Sequence, residues 1–362
     1  MSSSPSRPVT APLGAASPAP ALLEQARILC GPKLREAVGR LAQPMDAIAS
    51  YHFGWTDAQG NPAGGDGGGK GLRSTLALLS AQAAGAPIEA GTAAGVAVEL
   101  VHNFSLLHDD LMDGDETRRH RPTVWKEFGA AQAILVGDAL LLLAQEVIFD
   151  ATGQDAAGEL LASRAVRRLS TATSRMIAGQ AHDLAFEKRD TVTLAECLRM
   201  VAGKTGALLG AASSIGAVLA GADSRTADLL QRYGHHLGIA FQAADDLLGI
   251  WGEPGVTGKS RWGDLRRRKK SLPVAAAVAQ GGSASRQLVR SLADGKDRGS
   301  ESEEQLALRA ELIEAAGGRA WTEREAYRQH ATALASLDAL ELPPGVREGL
   351  TALADFVVLR KW

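Results

Sequence analysis

From Ala21 onward the sequence is dominated by alanine, leucine, arginine, glutamate and glutamine, which are strong helix formers. Aromatic residues make up only 4% of the 362 residues, and the alternation of apolar and polar residues that is typical of strands is scarce. No internal repeat of the length that builds a solenoid is visible. With 45% hydrophobic residues to fill a core, the sequence predicts one large all-α domain.

Residues 1–20 differ from this body because they contain five prolines, five serines and few large apolar side chains. Such a segment buries too little apolar surface to offset the entropy of ordering it. We expect a disordered tail over residues 1–20 and a single helical domain over residues 21–362. Within that domain, residues 54–69 and 281–304 are rich in glycine, serine or charge and predict two long loops.

Charge and cysteine content exclude several classes of function. Lysine plus arginine total 39 against 41 aspartate plus glutamate, so no global basic field is present to bind nucleic acid. The two cysteines, Cys30 and Cys197, form no CxxC pair and offer neither a disulfide framework nor a thiolate zinc site. The apolar run 130–149 is interrupted by four polar residues, and the N-terminus lacks the apolar region of a secretory signal. We therefore expect a cytoplasmic protein with no transmembrane segment.

The first chemical signal is an apolar segment, residues 96–115, that ends in Asp109, Asp110 and Asp113. On an ideal helix His102, Asp109 and Asp113 lie within about 40° of one another, so they share one face. Adjacent carboxylates repel unless cations neutralise them, and clustered carboxylate oxygens favour Mg²⁺ that bridges to substrate phosphates. The alternative interpretation of this segment alone is a solvated acidic helix end.

A second apolar segment, residues 234–251, repeats the pattern with Asp245 and Asp246 and carries Gln242 on the same face as Asp245. Two such helices facing each other across a bundle would form a binding site for a diphosphate that is bridged by metal ions. A polyanionic substrate also needs fixed cations, because guanidinium forks and ammonium groups bind phosphate oxygens. The cationic residues near the same chain breaks are Lys70, Arg73, Arg118, Arg119, Lys204, Lys259 and Lys269.

The order of these motifs over residues 31–362 resembles that of the trans-isoprenyl diphosphate synthases, also called polyprenyl synthetases. The elements that carry the resemblance are GKGLR at 69–73, DDLMD at 109–113 followed by Arg118 and Arg119, GQ at 179–180 with Asp183, Lys204 with Thr205, FQAADD at 241–246, and Lys259, Asp264, Leu265 and residues 269–273. The resemblance implies the isoprenoid synthase fold, a helical bundle around a central cavity. It also implies a prenyltransferase that condenses isopentenyl diphosphate with dimethylallyl, geranyl or farnesyl diphosphate.

The resemblance also assigns roles to individual residues. The expected ligands of three Mg²⁺ ions are Asp109 and Asp113 for two ions and Asp245 for the third, with Asp110 part of the same catalytic motif. The groups expected to bind the allylic diphosphate are Arg118, Lys204 and Lys259, and Lys269 is expected to bind substrate as well. The groups expected to bind isopentenyl diphosphate are Lys70, Arg73, His102 and Arg119. The groups expected to stabilise the developing allylic cation are Thr205 and Gln242.

Two further features concern the product and the second acidic motif. Phe104 and Ser105, five and four residues before Asp109, are the positions that set product length in the family, and an aromatic residue at the fifth position resembles the geranylgeranyl (C20) synthases. On an ideal helix Phe104 lies about 140° from Asp109, so this assignment depends on the resemblance alone. Gly249 stands where the family usually has a final aspartate, while Asp245, the main ligand there, is present.

Other interpretations stay open at this point. A class I terpene cyclase shares the fold and the first aspartate motif, although the chain lacks an NDxxSxxxE metal motif and carries cations for a second diphosphate. A non-catalytic subunit of a heteromeric synthase is another alternative, because Gly249 lacks the carboxylate of the usual final aspartate. The family is usually homodimeric. The segment YHFGW at 51–55 and the tail resemble polyprenyl synthetases carried as cargo of family 2 encapsulin shells, and a tail with no such role is the alternative.

Overall fold

The computed structural model describes residues 17–64, 71–252, 262–293 and 301–358. The first half of this region contains helices α1 (Ala19–Val38), α2 (Met45–His52), α3 (Leu72–Ala83), α4 (Thr92–Asp113), α5 (Val124–Phe128), α6 (Ala130–Asp150) and α7 (Ala156–Glu187). The second half contains α8 (Leu194–Val201), a π-helical segment (Ala202–Gly206), α9 (Ala207–Leu219), α10 (Ser224–Trp251), α11 (Gly263–Arg266), α12 (Leu272–Gln280), α13 (Gly282–Ala293), α14 (Glu303–Ala315), α15 (Gly318–Asp338) and α16 (Pro344–Val358). The predicted all-α class is confirmed.

The helices pack around α9 and α10. Helix α9 is buried on nearly all sides, as expected for an apolar helix at the centre of a bundle, and it contacts α3, α7 and α10. Helix α10 also packs along α15, while α4 packs along α3 and α6. This arrangement brings the end of α4 and the second half of α10 to the border of one cavity.

The strand content of the described residues is a single antiparallel pair, β1 (Thr117–Arg118) and β2 (Arg121–Pro122), directly after α4. The two residues of its turn, Arg119 and His120, have φ values of 52° and 62°. Two successive left-handed residues are the requirement of a type I′ hairpin turn. Helix α4 itself ends at Asp113 and is followed by Gly114, whose φ of 68° is typical of a C-terminal cap. The chain therefore reverses sharply and returns the arginines beside the aspartates.

Two predicted boundaries differ from the structure. Helix α1 begins at Ala19, two residues before the expected start of the helical domain, and residues 1–16 of the tail lie outside the described residues. The predicted loop 281–304 contains helix α13 and the first two residues of α14, so that prediction was wrong for residues 282–293 and 303–304. Leu288 on α13 is fully buried against α12 and α14, and such contacts stabilise a short helix whose sequence alone is a weak helix former.

Among the residues that the structure describes, two helical stretches are long and apolar enough to cross a membrane by length and composition. In one of them, Leu194–Leu219, 83% of the apolar window is buried inside the protein. The other is α6, so the expectation that the run 130–149 falls short of a membrane span was wrong by this criterion. Helix α6 is only 39% buried, and Ile134, Leu135, Leu142 and Phe149 remain exposed on it.

Candidate active site

The aspartate-bearing parts of α4 and α10 border a polar cavity of about 380 Å³. Its lining includes Asp109 and Asp113 from α4, Asp245 from α10, Arg118, Asp183, Lys204, Thr205, Gln242, Asp264 and Lys269. An apolar chamber of about 620 Å³ adjoins it and shares Asp109, Lys204, Thr205, Gln242 and Asp245. The structure thus places charged groups beside a chamber for an apolar molecule.

The pKa of Asp109 is raised to about 6, mainly by burial, with Asp113 and Asp183 also raising it and Lys204 and Arg118 lowering it. Burial likewise raises the pKa of Asp113. Both carboxylates lie at the C-terminal end of α4, where the helix dipole disfavours negative charge. Without an added cation this arrangement is electrostatically unfavourable, and Mg²⁺, which prefers carboxylate oxygens, fits it.

Within the described residues, no three carboxylate, histidine or cysteine side chains lie close enough together to hold a metal ion by themselves. Mg²⁺ commonly binds through one or two carboxylates and completes its octahedron with water and substrate phosphate oxygens. The donor set therefore fits a metal that binds together with a phosphate-bearing ligand.

Asp110 has a different environment from its two neighbours. It is 3% exposed, and both of its oxygens accept hydrogen bonds from Nε of Arg118 at 2.9 Å, with a further bond from Nη2 at 2.6 Å. The structure therefore separates Asp110 from the pair Asp109 and Asp113. Its contacts fix the direction of the Arg118 side chain, which lines the polar cavity.

Lys204 lies on the π-helical segment, and its Nζ donates to Asp183 of α7 at 2.6 Å. The close approach of the two elements depends on Gly179, because a Cβ there would lie 2.4 Å from the backbone N of Lys204. A π-helical turn inside a longer helix is frequent at functional sites. Here it presents Lys204 and Thr205 to the cavity as consecutive residues.

A chain of hydrogen bonds orients Gln242. Its Oε1 accepts from the Thr205 hydroxyl at 2.8 Å, and its Nε2 donates to Oδ1 of Asp246 at 2.8 Å. The other oxygen of Asp246 accepts from the backbone N–H of Leu272 at 2.8 Å, which ties α10 to the start of α12. Burial raises the pKa of Asp246 to about 7, with Asp264 the next contributor. The amide of Gln242 therefore has a defined orientation at the junction of the two cavities.

The residues expected to bind isopentenyl diphosphate fall into two groups. Arg73 and His102 line the apolar chamber, and burial together with Arg73, Arg118 and Arg119 holds the pKa of His102 well below its ordinary range. Arg119 instead borders a cavity of about 270 Å³ next to the YHFGW segment. The buried Nε of Arg73 has no hydrogen-bond partner in the part of the chain that is described, as expected of a group that meets an anionic ligand. Lys70 and Lys259 lie outside the described residues.

Phe104 and Ser105 both line the apolar chamber, although Phe104 and Asp109 lie on different sides of an ideal helix. Phe104 is 5% exposed and makes an edge-to-face contact with His108, with ring centroids 4.9 Å apart. The ring of His108 lies against Gly137 of α6, where a Cβ would meet it at 2.3 Å. His108, which is itself packed against α6, therefore supports the ring of Phe104.

Three residues of the site received no role from the sequence: Asp183, Gln180 and Asp264. Asp183 pairs with Lys204, Gln180 lines the apolar chamber with its amide atoms buried, and Asp264 lines the polar cavity. The signal was present, because GQxxD and the Asp264–Leu265 pair belong to the elements that carry the resemblance.

The family model of polyprenyl synthetase matches residues 65–310 of the chain. The chain belongs to the polyprenyl synthetase family. The expected family and the isoprenoid synthase fold are thereby confirmed, and the chain is a prenyltransferase of isoprenoid biosynthesis that makes prenyl diphosphates.

Similar proteins include two from Mycobacterium tuberculosis that make different products. The chain is 46% identical over 340 residues to a (2E,6E)-farnesyl diphosphate synthase, covering 94% of this chain and 93% of the relative. It is 43% identical over 343 residues to a geranylgeranyl diphosphate synthase, covering 94% of each. Both relatives are prenyl diphosphate synthases, but their products differ in chain length.

Two solved structures share this fold, and the second of them contains a divalent metal. A polyprenyl synthetase from Streptomyces coelicolor A3(2) is 61% identical with a TM-score of 0.89, over 94% of this chain and 99% of that one. A geranylgeranyl pyrophosphate synthase from Corynebacterium glutamicum, complexed with isoprenyl diphosphate and magnesium, is 27% identical with a TM-score of 0.79, over 95% of this chain and 99% of that one.

Proposed function

We propose that this polyprenyl synthetase makes geranylgeranyl diphosphate by Mg²⁺-dependent 1′-4 condensation of isopentenyl diphosphate with farnesyl diphosphate. The observation that carries the proposal is the apolar chamber of about 620 Å³ that opens between the two aspartate-bearing helices and has Phe104 in its wall. A prenyl tail would lie in the chamber while its diphosphate lies in the polar cavity. The bulk of Phe104, supported by His108, would limit the length of the tail.

In this proposal the polar cavity binds and activates the allylic diphosphate. Asp109, Asp113 and Asp245 would hold three Mg²⁺ ions, which would neutralise the diphosphate and make it a better leaving group. Lys204, Lys269 and Arg118 add fixed positive charge on the same cavity. Asp183 and Asp110 orient two of these cations through hydrogen bonds of 2.6 Å.

The reacting carbon would lie at the junction of the cavities, next to Thr205 and Gln242. Their oxygens, fixed by the hydrogen-bond chain to Asp246, would stabilise positive charge that develops on the allylic carbon. Arg73 and His102 would bind the second diphosphate, and His102 stays neutral there because of its lowered pKa. The double bond of isopentenyl diphosphate attacks the allylic carbon, and the departed diphosphate takes the proton that is then lost.

We test the activity by mass spectrometry of products formed from dimethylallyl, geranyl or farnesyl diphosphate and Mg²⁺, each with and without isopentenyl diphosphate. A C20 diphosphate that forms only with isopentenyl diphosphate supports the proposal. Elongation of dimethylallyl or geranyl diphosphate that stops at C15 would assign farnesyl synthase activity instead. Hydrocarbon formed without isopentenyl diphosphate would indicate a cyclase, and no turnover at all would indicate a subunit that needs a partner.

We also propose a homodimer formed through α6. Its exposed Ile134, Leu135, Leu142 and Phe149 form an apolar face larger than isolated surface residues would explain, and Leu160 and Ile177 of α7 are exposed as well. The expected measurement is a dimer mass by sedimentation, with a shift towards monomer in Leu135→Glu. A monomeric wild-type protein would refute it.

Encapsulin loading stays a prediction from the resemblance, because residues 1–16 of the tail lie outside the described residues. Co-purification of the shell protein with the full chain and with a chain lacking residues 1–20 tests it. Equal loading of both chains would remove the role of the tail. Cytoplasmic localisation also stays a prediction from the sequence.

A further inference from the structure

Gly249 and Asp264 occupy the same space beside the polar cavity. Gly249 follows Asp245 by four residues on α10, so a side chain at position 249 would lie next to that of Asp245 on the same helix face. A Cβ built at Gly249 would lie 2.1 Å from Oδ2 and 2.6 Å from Cγ of Asp264. The carboxylate of Asp264 therefore fills the volume that a side chain at position 249 would take.

Asp264 is held there by its own short segment. It lies on α11, which packs on α10, and the next residue, Leu265, is 3% exposed and buried against Ile250. The backbone oxygen of Asp264 accepts from the N–H of Lys269 at 2.9 Å. These contacts fix the position of the Asp264 side chain against α10.

The charge of Asp264 acts on the polar cavity. The residue lines that cavity together with Asp245, Asp246 and Lys269. Its charge is the main one that keeps the pKa of Lys269 above its ordinary value against the effect of burial. Asp264 thus presents negative charge where position 249 on α10 presents none.

We propose that Asp264 supplies the second carboxylate of the metal site at α10, in the place that a side chain at Gly249 would occupy, and acts there with Asp245. This inference rests on the proposed metal-dependent function. A carboxylate next to a metal-bound one serves either as a direct ligand or as an acceptor for metal-bound water, and loss of such a group typically lowers metal affinity about 10-fold to 100-fold.

The test measures metal binding without turnover. The melting temperature of the full chain is recorded against Mg²⁺ concentration at a fixed, saturating concentration of inorganic pyrophosphate, since a ligand that binds only the folded state raises the melting temperature. For Asp264→Asn we expect the half-saturating Mg²⁺ concentration to rise about 10-fold or more. The matched control is Asp228→Asn, an exposed aspartate near the other end of α10 that pairs with Arg168, and it should leave the value unchanged.

A role of Asp264 that is limited to holding Lys269 gives a different result. In that case Asp264→Asn would weaken pyrophosphate binding equally at low and at saturating Mg²⁺, and this would overturn the proposal. An unchanged half-saturating Mg²⁺ concentration would overturn it as well. A wild-type protein that shows no joint response to Mg²⁺ and pyrophosphate would instead refute the proposed metal-dependent function.

A carboxylate swap provides the second variant. Asp264→Ala removes the carboxylate and frees its volume, and Gly249→Asp added to that variant places a carboxylate on α10 in the same space. We expect the double variant to recover most of the Mg²⁺ response that Asp264→Ala loses. Its melting temperature without ligands shows that it is folded, and a folded double variant with no recovery would contradict the proposal.

Discussion

Replacing Gly179 by alanine tests how closely α7 must approach the π-helical segment for catalysis. The new Cβ would lie 2.4 Å from N and 2.9 Å from Cα of Lys204, and 3.0 Å from the carbonyl carbon of Gly203. All three neighbours are backbone atoms, so no side-chain rotation can relieve the overlap. An ordinary contact begins at 3.4 Å, so the two backbones must separate by about 1.0 Å, the difference between 3.4 and 2.4 Å.

This separation should affect stability and turnover by different amounts. Overpacking of a tightly packed contact costs about 1–3 kcal/mol, so the variant should fold with a reduced free energy of unfolding. A displacement of about 1 Å in a catalytic group lowers the rate on the order of 100-fold, and Lys204 and Thr205 both lie on the displaced segment. We therefore expect a large loss in kcat from a folded protein.

The assay combines steady-state condensation kinetics with denaturant unfolding. Gly345→Ala is the matched control, because a Cβ at this first-turn position of α16 meets no atom within 4 Å. That control should keep wild-type kcat, and its stability should stay the same or rise by up to about 1 kcal/mol. Wild-type kcat in Gly179→Ala would refute the argument that this approach positions the catalytic residues.

Three further predictions concern the metal site, product length and pH. Asp109→Ala should lower kcat by about 10³-fold or more with an unchanged helical circular dichroism spectrum, and near-normal turnover would contradict its metal role. Phe104→Ala should make prenyl diphosphates of greater chain length than the wild type, as measured by mass spectrometry. An unchanged product length would show that Phe104 does not limit it. Burial lowers the pKa of His52 to about 3. Below about pH 6.5 the unfolded chain therefore binds a proton at this histidine that the folded chain does not. The free energy of unfolding consequently decreases as the pH falls. His52 should therefore lower the free energy of unfolding by about 2 kcal/mol between pH 7 and pH 5. In His52→Gln, the free energy of unfolding measured over this pH range should fall by about 2 kcal/mol less than in the wild type. An equal fall in both proteins would refute the assignment.

Sequence patterns predicted the fold class and the pairing of the two acidic helices because both depend on local properties. Helix propensity and the spacing of Asp109 and Asp113 are set by neighbouring residues in the chain. The separation of Asp110 from these two depends instead on the hairpin that returns Arg118 to it. Strands of two residues carry no periodicity, so no pattern could have predicted that contact.

The remaining differences also depend on contacts between distant segments. Helix α13 was missed because its stability comes from Leu288 packed between α12 and α14. On an ideal helix, Phe104 and Asp109 lie on different sides. Both nevertheless line one chamber, because its wall also includes Leu141 of α6 and Met176 of α7. The contact of Asp264 with Gly249 joins residues of α11 and α10 that are fifteen positions apart, with residues 253–261 between them outside the described part of the chain.

The shared volume of Gly249 and Asp264 also makes the evolution of this site dependent on the order of mutations. While Asp264 is present, any side chain at position 249 must displace its carboxylate, so the effect of gaining an aspartate there depends on where that carboxylate moves. A small residue at position 264 removes the atoms that lie nearest to a Cβ at position 249. The two positions are therefore epistatic, and the effect of a substitution at one can be read only with the residue at the other specified.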